Sequence, residues 1–162
     1  MDEKREVLEI LRDDARQTAA DIARQTDIDE ARVEELIAEL EDDGVVRGYR
    51  AIVDWERTDD ERVTADVELN VELDRETGYA DIAGRIAKFP EVTSLRLVSG
   101  NYDFALTVEG RSMHAVSQFV SEQVAPIPEV TQTVTHFVMT TYKDGGVEFV
   151  GHDEDDRLSV SP

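Results

Sequence analysis

Gly100-Asn101-Tyr102-Asp103 is the stretch of this chain whose residue types suit the holding of a small polar molecule. Glycine lets the backbone turn where a side chain would obstruct it. Asp103 is the single acid between Val92 and Val108 and offers a carboxylate to an ammonium group, while Tyr102 offers an aromatic wall. Ser99 and Asn101 complete the turn, and Thr133 and Thr135 have hydroxyls able to donate to a ligand carboxylate. An amino acid needs this combination of groups. The plainer reading of the same residues is a tight hairpin that requires Gly and Asn for its backbone, with Thr133 and Thr135 present for β propensity.

Other chemistry is poorly supported. There is no cysteine, so disulfides, thiolate nucleophiles and zinc-ribbon sites are excluded together. His114, His136 and His152 are too far apart in sequence to form the i, i+4 pair of a helical metal site. No Ser-His-Asp order, phosphate loop or nucleophile elbow is recognisable, and no metal or cofactor is expected. Across 162 residues the chain carries 17 basic and 38 acidic side chains, a net charge of −21, and its basic residues are 3 Lys against 14 Arg. A surface so acidic and so poor in lysine suits concentrated salt, where a Debye length of about 3 Å at 1 M makes self-repulsion cheap. The source is therefore expected to be salt-adapted. No apolar run approaches the roughly 20 residues of a membrane span. The charged start Met1-Asp2-Glu3-Lys4-Arg5 lacks the apolar core of an export signal, and a cytoplasmic location is expected.

The elements that must position these groups follow from periodicity. Val7, Ile10 and Leu11, then Ala19, Ile22 and Ala23, then Val33, Leu36, Ile37 and Leu40 repeat at helical spacing. Thr18 and Asp29 are the expected N-caps of the second and third helices, and Gly44 the stop of the third. Gln25 to Ile28 supplies a turn of the length a helix-turn-helix uses. From Gly44 the period becomes two, with Tyr49, Ala51, Val53 and Trp55 predicting an exit strand, and the polar stretch 56–61 reads as a linker. Beyond it the order is β-α-β-β-α-β. Val63 to Leu73 alternates, a helix spans Tyr79 to Ile86, and strands surround Leu95/Leu97 and Phe104/Val108. A helix behind Ser112 stops at Pro126 and Pro128, and a last strand runs over 130–142.

That order predicts an α+β chain: a winged helix-turn-helix over residues 1–55 and a ferredoxin-like βαββαβ domain over 62–143, with an acidic tail over 144–162 in which Val147 to Val150 is a candidate short strand. The sheet's uncovered face is expected to present Thr131, Thr133, Thr135, Phe137 and Met139. Such a semi-apolar patch would pack against a second copy, giving a homodimer or larger assembly.

Three local patterns resemble the Lrp/AsnC family of transcription regulators. They are the third-helix frame Val33, Ile37, Leu40, Glu41 and Gly44 running into Val45 to Tyr49, the Gly-x-Tyr-Asp turn at 100–103, and Pro128-Glu129-Val130 leading the last strand, with Glu129 where the family usually has glycine. The resemblance implies a regulator that binds double-stranded DNA, with a second domain that oligomerises and senses a small molecule, commonly an amino acid. It places Glu30, Ala31, Arg32 and Glu35 of the third helix toward DNA, with Arg24, Arg47 and Arg50 as phosphate contacts beside Arg12 and Arg16. Family members usually carry Arg or Lys along this helix, whereas Arg32 is its lone base here, and residues 1–55 hold 8 basic and 17 acidic groups, a net of −9. Two rival readings stay open: a ligand-sensing oligomer that acts through protein partners without DNA, and an enzyme like the sirohaem decarboxylases, which share the architecture but lack the Gly-x-Tyr-Asp turn.

Overall fold

The computed structural model describes residues 2–149, and the expected acidic tail beyond them, with His152, lies outside the described residues. The chain divides into two compact units, with the boundary between Ile52 and Val53.

The first unit is three helices, α1 (Glu3–Asp13), α2 (Ala19–Gln25) and α3 (Glu30–Asp42). They close over Val7, Leu11, Ile22, Ile28, Val33, Leu36 and Leu40, all buried. The ends are set by local chemistry. Thr18 accepts from the Asp21 amide, and the Asp21 carboxylate takes the Thr18 amide in return, a reciprocal capping box. Asp29 stands at the N-cap of α3 but its side chain makes no capping bond. Gly44 ends α3 at φ +66°, a conformation costly for any residue with a Cβ, and this lets the amides of Val45 and Val46 both reach the Leu40 carbonyl.

The exit strand expected from Tyr49 to Trp55 does not form. Residues 47–54 join no ladder, and Trp55–Arg57 make a single 3-10 turn capped by Asp54. Alternating side chains describe a strand only when another backbone supplies the hydrogen bonds, and no described segment does so here.

In the second unit β1 (Val63–Val71), β2 (Val92–Leu97), β3 (Phe104–Gly110) and β4 (Val130–Phe137) form an antiparallel sheet in the order β2-β3-β1-β4, with α4 (Tyr79–Ile86) and α5 (Met113–Phe119) between them in sequence. This is the expected ferredoxin-like arrangement. Ala65, Val67 and Leu69 of β1 and Phe104, Leu106 and Val108 of β3 are buried against Ile82 and Ile86 of α4 and Val116 and Phe119 of α5. Ser112 caps α5 by accepting from the Ala115 amide, and the helix runs on as a wider π-type turn to Val124. The last strand stops at Phe137 rather than 142. Beyond it β5 (Lys143–Asp144) pairs with β6 (Val147–Glu148), so part of the stretch expected as a tail is a hairpin. Among the described residues no helix is long and apolar enough to cross a membrane.

One expectation about the sheet is reversed. Opposite Leu69, Val67 and Ala65 stand Thr133, Thr135 and Phe137, so these β4 residues share the helix-covered face, and Phe137 packs against the core. The uncovered face carries Asp66, Glu68 and Asn70 of β1, Arg96 of β2, Thr107 of β3, and Gln132, Val134 and His136 of β4. It is polar, not semi-apolar. The register slips between Asn70 and Val71, leaving Thr131 as the extra residue, and a one-residue slip exchanges the two faces of a strand. Met139 lies past the strand and is 80% exposed.

Candidate functional site: the α3 surface and the turn at Gly100

In the helical unit the buried positions of α3 leave Glu30, Ala31, Glu34, Glu35, Ala38, Glu41 and Asp42 exposed. Arg32 is not among them. Its guanidinium lies on the flank toward α1, where Nε is 3.3 Å from Glu3 Oε2 and Nη1 is 3.0 Å from Glu35 and 3.2 Å from Glu39. Lys4 of α1 reaches back to Glu39 at 2.9 Å and to Asp43 at 3.2 Å. The result is one ion-pair network across α1 and α3. Glu35 first and Glu3 next raise the Arg32 pKa, and Glu39 and Asp43 raise that of Lys4. Between them Lys4 and Arg32 hold the Glu39 carboxyl below the usual range.

Arg32, expected to face the groove, here shares its donors among three carboxylates on the flank toward α1. Arg24 is likewise paired, with Asp21 three residues earlier. Glu35 is held by Arg32 and Glu41 accepts from the Tyr49 hydroxyl at 2.8 Å, whereas Glu30 and Glu34 have no partner among the described residues. Arg12, Arg16, Arg47 and Arg50 have guanidinium groups free of ion pairs among the described residues. The Arg32, Glu35, Glu39 spacing was visible along one helix. The contributions of Glu3 and Lys4 from a second helix were not.

In the second unit the turn is built as its residue types require. Ser99, Gly100 and Asn101 are exposed, and Gly100 sits at φ +129°, open to glycine and strained for other residues. The Val98 amide donates to the Asp103 carbonyl at 2.9 Å, closing the hairpin, and the Asp103 amide donates to Leu69 at 2.8 Å. The carboxylate of Asp103 is also in use: the Val71 amide donates to Oδ2 at 2.8 Å and the Tyr79 hydroxyl stands 3.5 Å from Oδ1. Tyr79 is itself fixed edge-on to Phe104. Asp103 therefore ties the turn to the end of β1 at the point where the ladder slips.

Tyr102 faces the other way. It lines an open cavity of about 490 Å³ on the uncovered sheet face with Asp66, Glu68, Arg96, Thr107 and His136, whose Nε2 is 3.3 Å from Glu68. The expected effector residues are thus divided. Ser99 to Asp103 form one turn, but Thr133 and Thr135 are half-buried on the core face and do not join Tyr102 at this cavity. Arg96, Asp66 and Glu68 were missed as site residues. Their alternation with core residues placed them on the polar face, but nothing local placed β2 and β1 around Tyr102. Among the described residues no group of three or more metal-binding side chains converges.

Comparison with known proteins agrees with both halves. Residues 2–47 match the model of a winged helix-turn-helix DNA-binding domain, and residues 64–148 match that of the Lrp/AsnC ligand binding domain. An uncharacterised HTH-type transcriptional regulator of Bacillus subtilis, YugG, is 38% identical over 158 residues, covering 97% of this chain and 95% of that protein. The HTH-type transcriptional regulator FL11 of Pyrococcus horikoshii is 25% identical over 140 residues, covering 86% of this chain and 89% of FL11. An AsnC family transcriptional regulator from Agrobacterium tumefaciens superposes with a TM-score of 0.69 at 26% identity, over 89% of this chain and 94% of its own. The regulator NMB0573 of Neisseria meningitidis, solved as an L-Met complex, shares the fold with a TM-score of 0.69 at 24% identity, over 89% and 93%. These relatives are regulators of transcription and none is described as an enzyme. A helix-turn-helix unit and a ligand-binding unit, each matching its own model in the same chain, make this protein a DNA-binding regulator of the Lrp/AsnC family.

Proposed function

We propose that this regulator changes its hold on DNA in response to an amino acid bound beside the turn at Gly100, and that it acts as a homodimer or a larger homo-oligomer. The observation that carries the reading is the position of Tyr102. It lines a cavity that offers a guanidinium, Arg96, and two carboxylates, Asp66 and Glu68, within one polar surface. A zwitterion needs one group of each sign, and a volume of about 490 Å³ lies within the roughly 300–1,000 Å³ of small-molecule sites. The Neisseria regulator solved with L-methionine supports an amino acid as the class. Because the Asp103 carboxylate is committed to the Val71 amide, the ammonium partner is assigned to Asp66 or Glu68 and Asp103 to the shape of the turn.

Packing of two copies through the uncovered sheet face would enclose this cavity, and partly dry ion pairs there are strengthened by the loss of solvent screening. Calorimetry of the full chain with the free amino acids tests the assignment. Arg96→Ala should weaken the amino acid that binds the unaltered protein by about tenfold, the worth of one charged hydrogen bond. Equal affinity in that variant, or no binding of any amino acid to the unaltered protein, would refute the site. Light scattering that gives a monomer at molar salt would refute the assembly.

A further inference from the structure

Duplex DNA is normally held by Lys and Arg, yet apart from the half-exposed Arg32 the solvent-facing side chains of α3 contain no hydrogen-bond donor. Glu30, Glu34, Glu35, Glu41 and Asp42 are acceptors when ionised, and Ala31 and Ala38 are methyl groups. The one donor side chain on the helix, Arg32, spends its guanidinium on Glu3, Glu35 and Glu39. At helical spacing Ala31, Glu34 and Ala38 fall at the middle of the exposed arc, with Glu30 beside them in the first turn. Glu34 and Glu30 are also the α3 carboxylates in the first two turns that have no partner among the described residues.

The family places a helix of this kind against base edges, so the question is which base edges such a surface recognises. Guanine presents two acceptors, N7 and O6, in the major groove and repels a carboxylate. Adenine presents its N6 amino group beside the acceptor N7, so a carboxylate that approaches one meets the other. Cytosine presents the N4 amino group with C5–H on one side, so a carboxylate can approach it from that side, away from the O6 acceptor of the paired guanine. Thymine offers a methyl group, which suits a small apolar side chain.

We propose that α3 reads its operator as an acceptor-only surface: Glu34 and Glu30 take hydrogen bonds from cytosine N4 amino groups, and Ala31 and Ala38 pack on thymine methyls. Phosphate contact then falls to arginines outside α3, namely Arg12, Arg16, Arg47 and Arg50, whose guanidinium groups are free of ion pairs among the described residues. This inference rests on the assignment of the first unit to DNA. It makes Glu34 and Glu30 specificity-determining residues and gives Arg32 a positioning role between α1 and α3.

The test is selection from a randomised duplex pool by the full chain in potassium chloride at about 1 M, where the Debye length is near 3 Å and carboxylate–phosphate repulsion is short-ranged. The unaltered protein should enrich sites with cytosine at fixed positions. Glu34→Gln should move one of those positions to adenine, because an amide both accepts from N6 and donates to N7. Glu30→Gln should move a different one. Replacing the cytosine that Glu34→Gln moves with N4-methylcytosine keeps the base pair but puts a methyl group where the donated hydrogen was. It should weaken the unaltered protein by about tenfold and leave Glu34→Ala unchanged. Consensus sites identical in all three proteins, or indifference of the unaltered protein to the methyl group, would overturn the inference while leaving DNA binding intact. Failure to retain any duplex, with the helical circular dichroism of the unaltered protein preserved, would overturn both.

Discussion

Arg32 is the one basic residue of α3 and Asp103 the one acid between Val92 and Val108, and the two units spend them differently. Arg32 is half-exposed and shared among three carboxylates on two helices. Asp103 is half-buried and accepts from the Val71 amide, which lies just past the last β1–β3 pair, Leu69 and Phe104. A surface network is screened by salt and bears little on stability, while a backbone donor deprived of its acceptor incurs most of its desolvation cost. One charge therefore sets what the surface can recognise, and the other sets whether the turn holds its shape.

The comparison is broken most directly by removing the core on which the Asp103 turn rests. Phe104 is 1% exposed and contacts Tyr79 edge-on, and Phe104→Ala should destabilise the sheet unit by about 3–5 kcal/mol. Urea unfolding followed by tryptophan emission measures this, since Trp55 belongs to the same unit.

Asp103→Ala comes next. It leaves the Val71 amide without its acceptor, and the expected loss is about 1–3 kcal/mol, with Asp103→Asn recovering part of it. An unchanged unfolding midpoint for Asp103→Ala would show that the carboxylate is dispensable to the fold and free it to act as a ligand group.

Thr18→Ala tests a neutral cap against these charges. Loss of the bond to the Asp21 amide should cost about 1 kcal/mol. Hydrogen bonds from Thr18, with help from Arg24, hold Asp21 below its usual pKa, and Lys4 and Arg32 do the same to Glu39. A carboxylate whose folded pKa is depressed lends stability above its unfolded pKa and loses it as the pH falls through the folded value. Stability should accordingly fall as the pH drops below about 4, and Thr18→Ala should remove part of that dependence. A pH profile parallel to that of the unaltered protein would contradict the assignment.

The smallest effect belongs to the Arg32 network. Arg32→Ala should shift the thermal midpoint only slightly, and less at high salt than at low. The unaltered protein should itself be more stable at high salt, because −21 charges repel over about 10 Å at 0.1 M and about 3 Å at 1 M. A midpoint that falls with salt would mean that ion pairs outweigh the overall repulsion.

Short-range rules make much of this molecule legible from its residues alone. Helical repeats of Val, Ile and Leu mark α1 to α3, Thr18 and Ser112 cap helices with their own hydroxyls, and Gly44 and Gly100 stand where the backbone needs positive φ. Alternation along β1 sorts Ala65, Val67 and Leu69 to the core without knowledge of a partner. Each of these depends on residues within about four positions of one another, the reach of a helical turn or a strand pleat. What tertiary structure decided depends on segments far apart in sequence. The pairing of Thr133 with Leu69 moved Phe137 from an expected interface to the helix-covered face, where it packs against the core. Exit-strand alternation at Tyr49 to Trp55 found no partner backbone. Arg32 met Glu3 from another helix, and Asp103 met the Val71 amide just past the end of the β1–β3 ladder. Residue types determined what each group can bond to, and the long-range packing determined which of those bonds were already taken.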